Sequence, residues 1–287
     1  MREPFLRLSW VVAVMALSAS CILVSNPEGE PNWRTTPEPG ARATGTEFRQ
    51  TVPFAPGGSL ALENDYGDVR ISGWDRESVE VVAKAATVES QPQRSARQYR
   101  IRKVTPQVEI RETGSGLLVR TPTFEGPGEA PAVDYEVRVP NSVVLTGIRL
   151  SEGNLSISDV FGRIEASVDQ GDLSVSNYSG PLHATVGTGN ADVEVLDLRE
   201  GDEITVTTRK GDIVLHLESG VGAIVEADAP RGEVRSDFDL GVKMPTSTVK
   251  GWIGQGGPAV MLRASDGRIQ IVTVKNSAGG PPAAKGK

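Results

Sequence analysis

Glycine recurs at positions 153, 162, 171, 180 and 189, a spacing of nine held four times in succession, and again at 201, 211, 222 and 232 at spacings of ten to twelve. A fixed period of this kind marks a chain built of stacked units, none of which can bury its apolar face alone. The nine-residue units alternate in character. One class reads Gly153-Asn154-Leu155-Ser156-Ile157, Gly171-Asp172-Leu173-Ser174-Val175, Gly189-Asn190-Ala191-Asp192-Val193 and Gly211-Asp212-Ile213-Val214-Leu215. The other reads Gly162-Arg163-Ile164-Glu165-Ala166 and Gly180-Pro181-Leu182-His183-Ala184, with less regular stretches after Gly201 and Gly222. The full repeat is therefore about 18–22 residues long.

Within each unit the apolar residues lie two apart, so they point inward together while Ser156, Ser174, Glu165 and His183 point outward. Glycine is expected to supply a turn at φ > 0, and the Asp or Asn after it to bond its own backbone. The structural turn positions on this reading are Gly67, Gly153, Gly162, Gly171, Gly180, Gly189, Gly211 and Gly267. The expected fold class is all-β: a single-stranded β-solenoid, or β-helix-like stack of short strands, with two strands per 18–22-residue rung. At about 4.8 Å per rung, residues 150–236 would form roughly five turns, about 20–25 Å in length. High Gly (32) and Pro (19) and an aromatic share of only 5% suit many short strands and turns.

The flanks divide further. Residues 46–150 read as N-terminal strands and a capping region. Alternating runs stand on either side of a turn in Leu60–Ile71, and Val79, Val81 and Ala83 keep a period of two. A hairpin joins Val108-Glu109-Ile110 to Leu117-Leu118-Val119, and a strand runs through Val133, Tyr135, Val137 and Val139 to Pro140. Residues 87–100 are polar and charged, with no assigned state. Residues 151–275 form the repeat region, in which Ser265-Asp266-Gly267-Arg268-Ile269-Gln270-Ile271 restates the turn and strand and is expected to cap the stack. Residues 276–287 read as a disordered tail.

The first 20 residues carry Arg2 and Arg7, an apolar run from Leu8 to Leu17, and then Leu17-Ser18-Ala19-Ser20-Cys21. This resembles a bacterial lipobox, in which small residues precede a cysteine that is acylated and becomes the new N-terminus. Glu3 in the basic segment and Ser18 in place of the usual Leu depart from that pattern. The alternatives are an ordinary signal peptide and an uncleaved anchor over Leu8–Val24; in all three the body is exported. The lipoprotein reading makes 1–20 the signal peptide, Cys21 the lipidated residue and 21–45, rich in Pro, Glu and Thr, a disordered tether. Since Cys21 is the sole cysteine, no intrachain disulfide is available. The formal charge is −7, and loss of the leader leaves 28 basic against 36 acidic residues. A body of this sign repels nucleic acid and anionic head groups.

The run Tyr66-Gly67-Asp68-Val69-Arg70-Ile71-Ser72-Gly73-Trp74-Asp75, the Gly-Asp/Asn repeats and the closing Gly-rich segment before Ser265-Asp266-Gly267-Arg268-Ile269 resemble the bacterial adhesin-like domains of unknown function, over about residues 45–275. The resemblance implies an extracytoplasmic β-solenoid, often on lipoproteins or membrane proteins. It brings no catalytic motif to carry over.

Candidate chemistry is sparse. Asp68, Asp172 and Asp212, with Asn154 and Asn190, suit turns; the alternative is a ladder binding Ca²⁺, although the denser calcium nonapeptide pattern is lacking. His183 and His216 are the only histidines and have no paired spacing, so no transition-metal site is expected. Ser247-Thr248-Val249-Lys250 matches a bare Ser-x-x-Lys pattern, but Pro245 and three β-branched residues favour an extended segment over the helix that chemistry needs. Arg209 and Lys210 beside Asp172 or Asp192 are the candidates for a β-helix polysaccharide lyase or hydrolase. Trp74, Trp252, Tyr66 and Tyr178 are either sugar-stacking platforms or cap packing.

The resulting expectation has no catalytic residue, metal or cofactor. It is a lipid-anchored, extracytoplasmic binding or scaffold protein of the bacterial envelope, at the outer membrane or in the periplasm if Gram-negative. Its partners are the membrane, through the N-terminal lipid, and an envelope polysaccharide, a protein or a second copy, with no nucleic acid. Function is assigned to outward strand positions and to segment 87–132. The alternatives are a carbohydrate-active enzyme on the same architecture and an envelope-stress signalling component.

Overall fold

The computed structural model describes residues 47–85, 106–114, 116–122 and 130–274. Cys21 and the leader, the tether, most of segment 87–132 and the tail 276–287 lie outside the described residues. Those described hold twenty strands and no helix. Before the repeats come β1 (Glu47–Pro53), β2 (Ser59–Tyr66), β3 (Val69–Trp74), β4 (Ser78–Ala85), β5 (Glu109–Thr113), β6 (Gly116–Arg120) and β7 (Val133–Pro140). The repeats supply β8 (Val144–Glu152), β9 (Leu155–Ser158), β10 (Ile164–Gln170), β11 (Leu173–Ser179), β12 (Leu182–Thr188), β13 (Ala191–Asp197), β14 (Glu203–Lys210) and β15 (Ile213–Glu218). Then follow β16 (Ala223–Asp228), β17 (Val234–Ser236), β18 (Thr248–Ile253), β19 (Ala259–Ala264) and β20 (Ile269–Val274).

The strands make two ten-stranded sheets. Sheet I runs β1-β4-β7-β3-β9-β11-β13-β15-β20-β17, and sheet II runs β18-β16-β19-β14-β12-β10-β8-β2-β6-β5. Through the repeats successive strands fall alternately on the two sheets, so each pairs in parallel with the strand two along. Leu182 of β12 lies beside Ile164 of β10, and Ala191 of β13 beside Leu173 of β11. This register is what the glycine period requires: equal rungs bring equivalent apolar positions into line. Ile164, Ala166 and Val168 on β10 and Leu173 and Val175 on β11 are all buried, and their outward neighbours Glu165 and Ser174 are exposed. Each fully buried Val, Leu or Ile contributes about 1.5–3 kcal/mol against the entropy of ordering the rung.

At both ends the chain leaves sequence order. The pair β2–β3 lies between β6–β7 and β8–β9, and β19–β20 lies between β14–β15 and β16–β17. The segment Ser265–Ile271 therefore does not cap the stack; β20 is flanked by β15 on one side and by β17 on the other. Nor do successive rungs run unbroken to residue 236, since β16 pairs with β19 and β18 instead of β14. The antiparallel strands β1, β5 and β18 end three of the four sheet edges. Trp252 does not cover the core at the β18 end, being 69% exposed. Leu240 does so, buried at 5%, with Phe238 and Met244 packed against the core beside it. Gly251 admits this loop, because a Cβ there would stand 2.5 Å from the Leu240 carbonyl oxygen.

Candidate functional site

The turn column comes first, because it sets the spacing of everything the faces display. The Asp or Asn after Gly67, Gly153, Gly171, Gly189 and Gly211 does not bond its own backbone; its side chain accepts the backbone N–H of the equivalent residue one repeat on. Asp68 N–H donates to Asp134 Oδ1 at 2.9 Å, Asn154 N–H to Asp68 Oδ1 at 2.9 Å, and Asp172 N–H to Asn154 Oδ1 at 3.0 Å. Asn190 N–H then donates to Asp172 Oδ1 at 2.7 Å, Asp212 N–H to Asn190 Oδ1 at 2.9 Å, and Arg268 N–H to Asp212 Oδ1 at 2.8 Å. The turn N–H groups of Asp68, Asn154, Asp172, Asn190, Asp212 and Arg268 thus each find an acceptor. The Arg268 guanidinium closes the ladder on Asp212 Oδ2 at 2.8 Å. Partial burial pushes the Asp212 carboxyl up, but hydrogen bonds from the Arg268 backbone and guanidinium outweigh this and hold it below the ordinary carboxylate value. Among the described residues, no group of three or more His, Cys, Asp or Glu is placed to hold a metal ion.

The glycines serve this close stacking in two ways. Gly171 has φ +135°, and a Cβ on it would lie 1.9 Å from the Gly153 carbonyl oxygen. Gly67, Gly153, Gly180, Gly189 and Gly211 share the positive φ. Gly162 and Gly267 do not, which corrects the expectation for those two. Their backbones meet a neighbour too closely for a side chain: a Cβ would stand 2.2 Å from the Val143 oxygen at Gly162 and 2.0 Å from the Gly211 oxygen at Gly267.

Outward residues line up in rows across the strands. On sheet II, Ser167, Thr185 and Thr207 stand side by side on β10, β12 and β14. The row continues through Arg149 and Glu63, paired at 3.0 Å, on one side. On the other it runs through Arg263 and Asp228, 3.9 Å apart. Two depressions adjoin it. One, of about 380 Å³, is lined by Arg163, Glu165, Pro181, His183, Glu203 and Thr205. The other, of about 220 Å³, is lined by Glu63, Asp65, Arg149, Ser151, Ser167 and Asp169. No Phe, Tyr or Trp ring lines either; charged and hydrogen-bonding groups share the lining with Ile164 and Leu182 in the first and with Leu150 in the second. On sheet I the corresponding rows are Ser72, Ser158 and Ser176, and Ser156, Ser174 and Asp192. His216 Nε2 stands 3.2 Å from Asp192 Oδ1.

The remaining expected residues are dispersed. Arg209 on β14 and Asp192 on β13 belong to different sheets, and Asp172 is occupied in the turn ladder, so these groups do not converge. Thr248-Val249-Lys250 is strand, so Ser247 and Lys250 are not one helical turn apart. Tyr178 is fully buried, its hydroxyl donating to the Pro181 carbonyl at 2.6 Å with the Gly162 carbonyl 3.0 Å away. The Trp74 indole N–H donates to the Ser78 carbonyl at 2.8 Å, with the Arg76 guanidinium 4.9 Å from the ring centroid. Trp252 and Tyr66 are exposed.

Sequence reasoning missed a buried polar network. Asn64 Nδ2 donates to the Val133 carbonyl at 2.9 Å, and its Oδ1 accepts the Thr121 hydroxyl at 2.9 Å. That hydroxyl meets the Tyr135 hydroxyl at 2.7 Å. Burial pushes the Tyr135 phenol up to about 12, against the smaller opposing effect of Thr121. The signal was present: Asn64 shares the inward parity of Leu60 and Leu62, a polar residue in an apolar position.

No protein-family model matches the sequence, and no curated protein matches it. Among solved structures, the chain is similar to one described as a putative cell adhesion protein from Clostridium sporogenes, with TM-score 0.45 and 16% identity over 79% of this chain and 99% of that one. It is also similar to a putative adhesin from Bacteroides fragilis, with TM-score 0.24 and 6% identity over 80% of this chain and 99% of that one. Those descriptions belong to those proteins.

Proposed function

We propose that this chain is an adhesin-like binding module of the bacterial cell envelope, held to a membrane by lipid on Cys21 and built on a β-solenoid. Parallel, in-register pairing between strands an 18-residue repeat apart supports the solenoid. The observation that carries the binding role is the outer face of sheet II, where the Ser167-Thr185-Thr207 row runs beside two depressions that mix charged and hydrogen-bonding groups with aliphatic ones. A repeating polymer rich in hydroxyls suits a surface whose own hydrogen-bonding groups repeat at about 4.8 Å. An envelope polysaccharide is therefore the ligand class, and the net charge of −7 disfavours nucleic acid. No catalytic step is assigned.

The test is binding of the purified chain to a panel of immobilised envelope polysaccharides, with reducing ends and unsaturated sugars assayed alongside. Wild type is expected to retain at least one polymer without degrading it. T185R, in the centre of the sheet II row, should weaken binding by at least about tenfold, whereas S174R on sheet I should leave it unchanged. Equal loss in both variants would remove the sheet II assignment. Release of sugar fragments, abolished by replacing Glu165 or Glu203 in the larger depression, would replace the binding module with a carbohydrate-active enzyme.

A further inference from the structure

Strand β18 differs from the other strands that end the two sheets. β1 carries Pro53 and the two charges Glu47 and Arg49; β5 presents Glu109, Arg111 and Glu112; β17 has only three residues. Each of these features blunts an edge against further pairing. β18 is six residues long and carries a single charge, Lys250, whose ammonium lies 3.0 Å from Glu226 on β16. Among the described residues its outer edge faces no further strand. The surface beside that edge is apolar. Trp252 and Ile224 are direct cross-strand partners, 69% and 48% exposed, and Met261, 39% exposed, sits on the next strand diagonal to Ile224. Exposed neighbours of this size mark an interaction surface more often than isolated ones do.

We infer that β18 is a self-association edge, pairing antiparallel with β18 of a second copy about a two-fold axis through Gly251. The residue pattern selects both the partner and the register. An isologous contact requires a strip complementary to itself. With the axis at Gly251, Lys250 of each copy stands opposite Trp252 of the other, and Val249 stands opposite Ile253. The outer face then gains two cation-on-ring contacts, while Val249 and Ile253, already buried within each chain, keep the inner face apolar across the axis. An axis through Lys250 would set two lysines opposite one another, and a one-residue slip would set Trp252 against inward positions. This contact is independent of the hydroxyl row and of whatever that row binds.

Sedimentation of the purified full chain over a concentration series tests the inference. Wild type is expected to show a reversible monomer–dimer equilibrium. W252K places lysine against lysine twice and should weaken the dimer by about tenfold or more. W252E removes the same ring but sets a carboxylate opposite Lys250 of the second copy, so it should retain most of the association. A plain hydrophobic patch would be damaged as much by Glu as by Lys. Position 252 is exposed, so neither change should shift the melting temperature. If W252K fails to fold, K250E takes its place, since it sets a carboxylate against the ring and should weaken the dimer by a similar factor. A monomeric wild type, equal loss in W252E and W252K, or an unchanged dimer in K250E would overturn the proposed pairing.

Discussion

Asn190 stands between Asp172 and Asp212 in the turn column, and Asn154 between Asp68 and Asp172, so carboxylates alternate with amides through the repeats. Both residue types supply the Oδ1 acceptor that the next rung needs, but a carboxylate in every rung would place like charges about 4.8 Å apart. In water that repulsion is worth roughly 1 kcal/mol per neighbouring pair. Asn190→Asp creates two such pairs, with Asp172 and Asp212, and should therefore keep its hydrogen bond and still lower stability by about 2 kcal/mol at low ionic strength, with recovery as salt screens the charges; urea melts at two salt concentrations read this directly. Asp212 supplies a second expectation. Its carboxyl lies below the ordinary value in the folded chain. The stability linked to its ionisation is thus present above the unfolded value of about 3.9 and is lost as pH falls through the lower folded one. Thermal melts between neutral and acid pH should show that slope in wild type and less of it in Asp212→Asn.

At the scale of the element, close stacking rather than turn conformation alone explains the glycines. Gly171→Val meets both a positive φ and the Gly153 oxygen, and should cost more than about 1–3 kcal/mol. Gly267→Ala separates the two causes. Its φ is ordinary, yet its Cβ would lie 2.0 Å from the Gly211 oxygen, where β20 enters beside β15. A loss comparable to that of Gly171→Val would assign the demand to backbone approach. Ser174→Val, exposed on β11, should change little and serves as the control in the same melts. The period and inward parity of these elements were legible, since each depends on residues one or two apart. The acceptor of each Asp or Asn was not: the same side chain can close its own turn or reach the next rung, and only the distance between rungs decides which.

For the whole molecule, the anchoring expectation rests on Cys21, which is the sole cysteine and follows small residues at the end of an apolar run. Cys21→Ser should move the protein from the detergent phase to the aqueous phase on phase partitioning, provided that the leader is still removed. Unchanged partitioning of the cleaved product would remove the lipid from the proposal. The sequence by itself determined that the body is all-β, where its repeat turns lie, and which side chains face inward, because alternation and glycine spacing act over a few residues. Only the tertiary structure decided which rung lies against which. Each unit carries the same turn and the same apolar alternation, so nothing local distinguishes β19–β20 from β16–β17 as the neighbour of β14–β15, or β2–β3 from β6–β7 as the neighbour of β8–β9. That choice also decided which strands became edges, where the two depressions open and where Trp252 is exposed, since each of these depends on contacts between residues far apart in the chain.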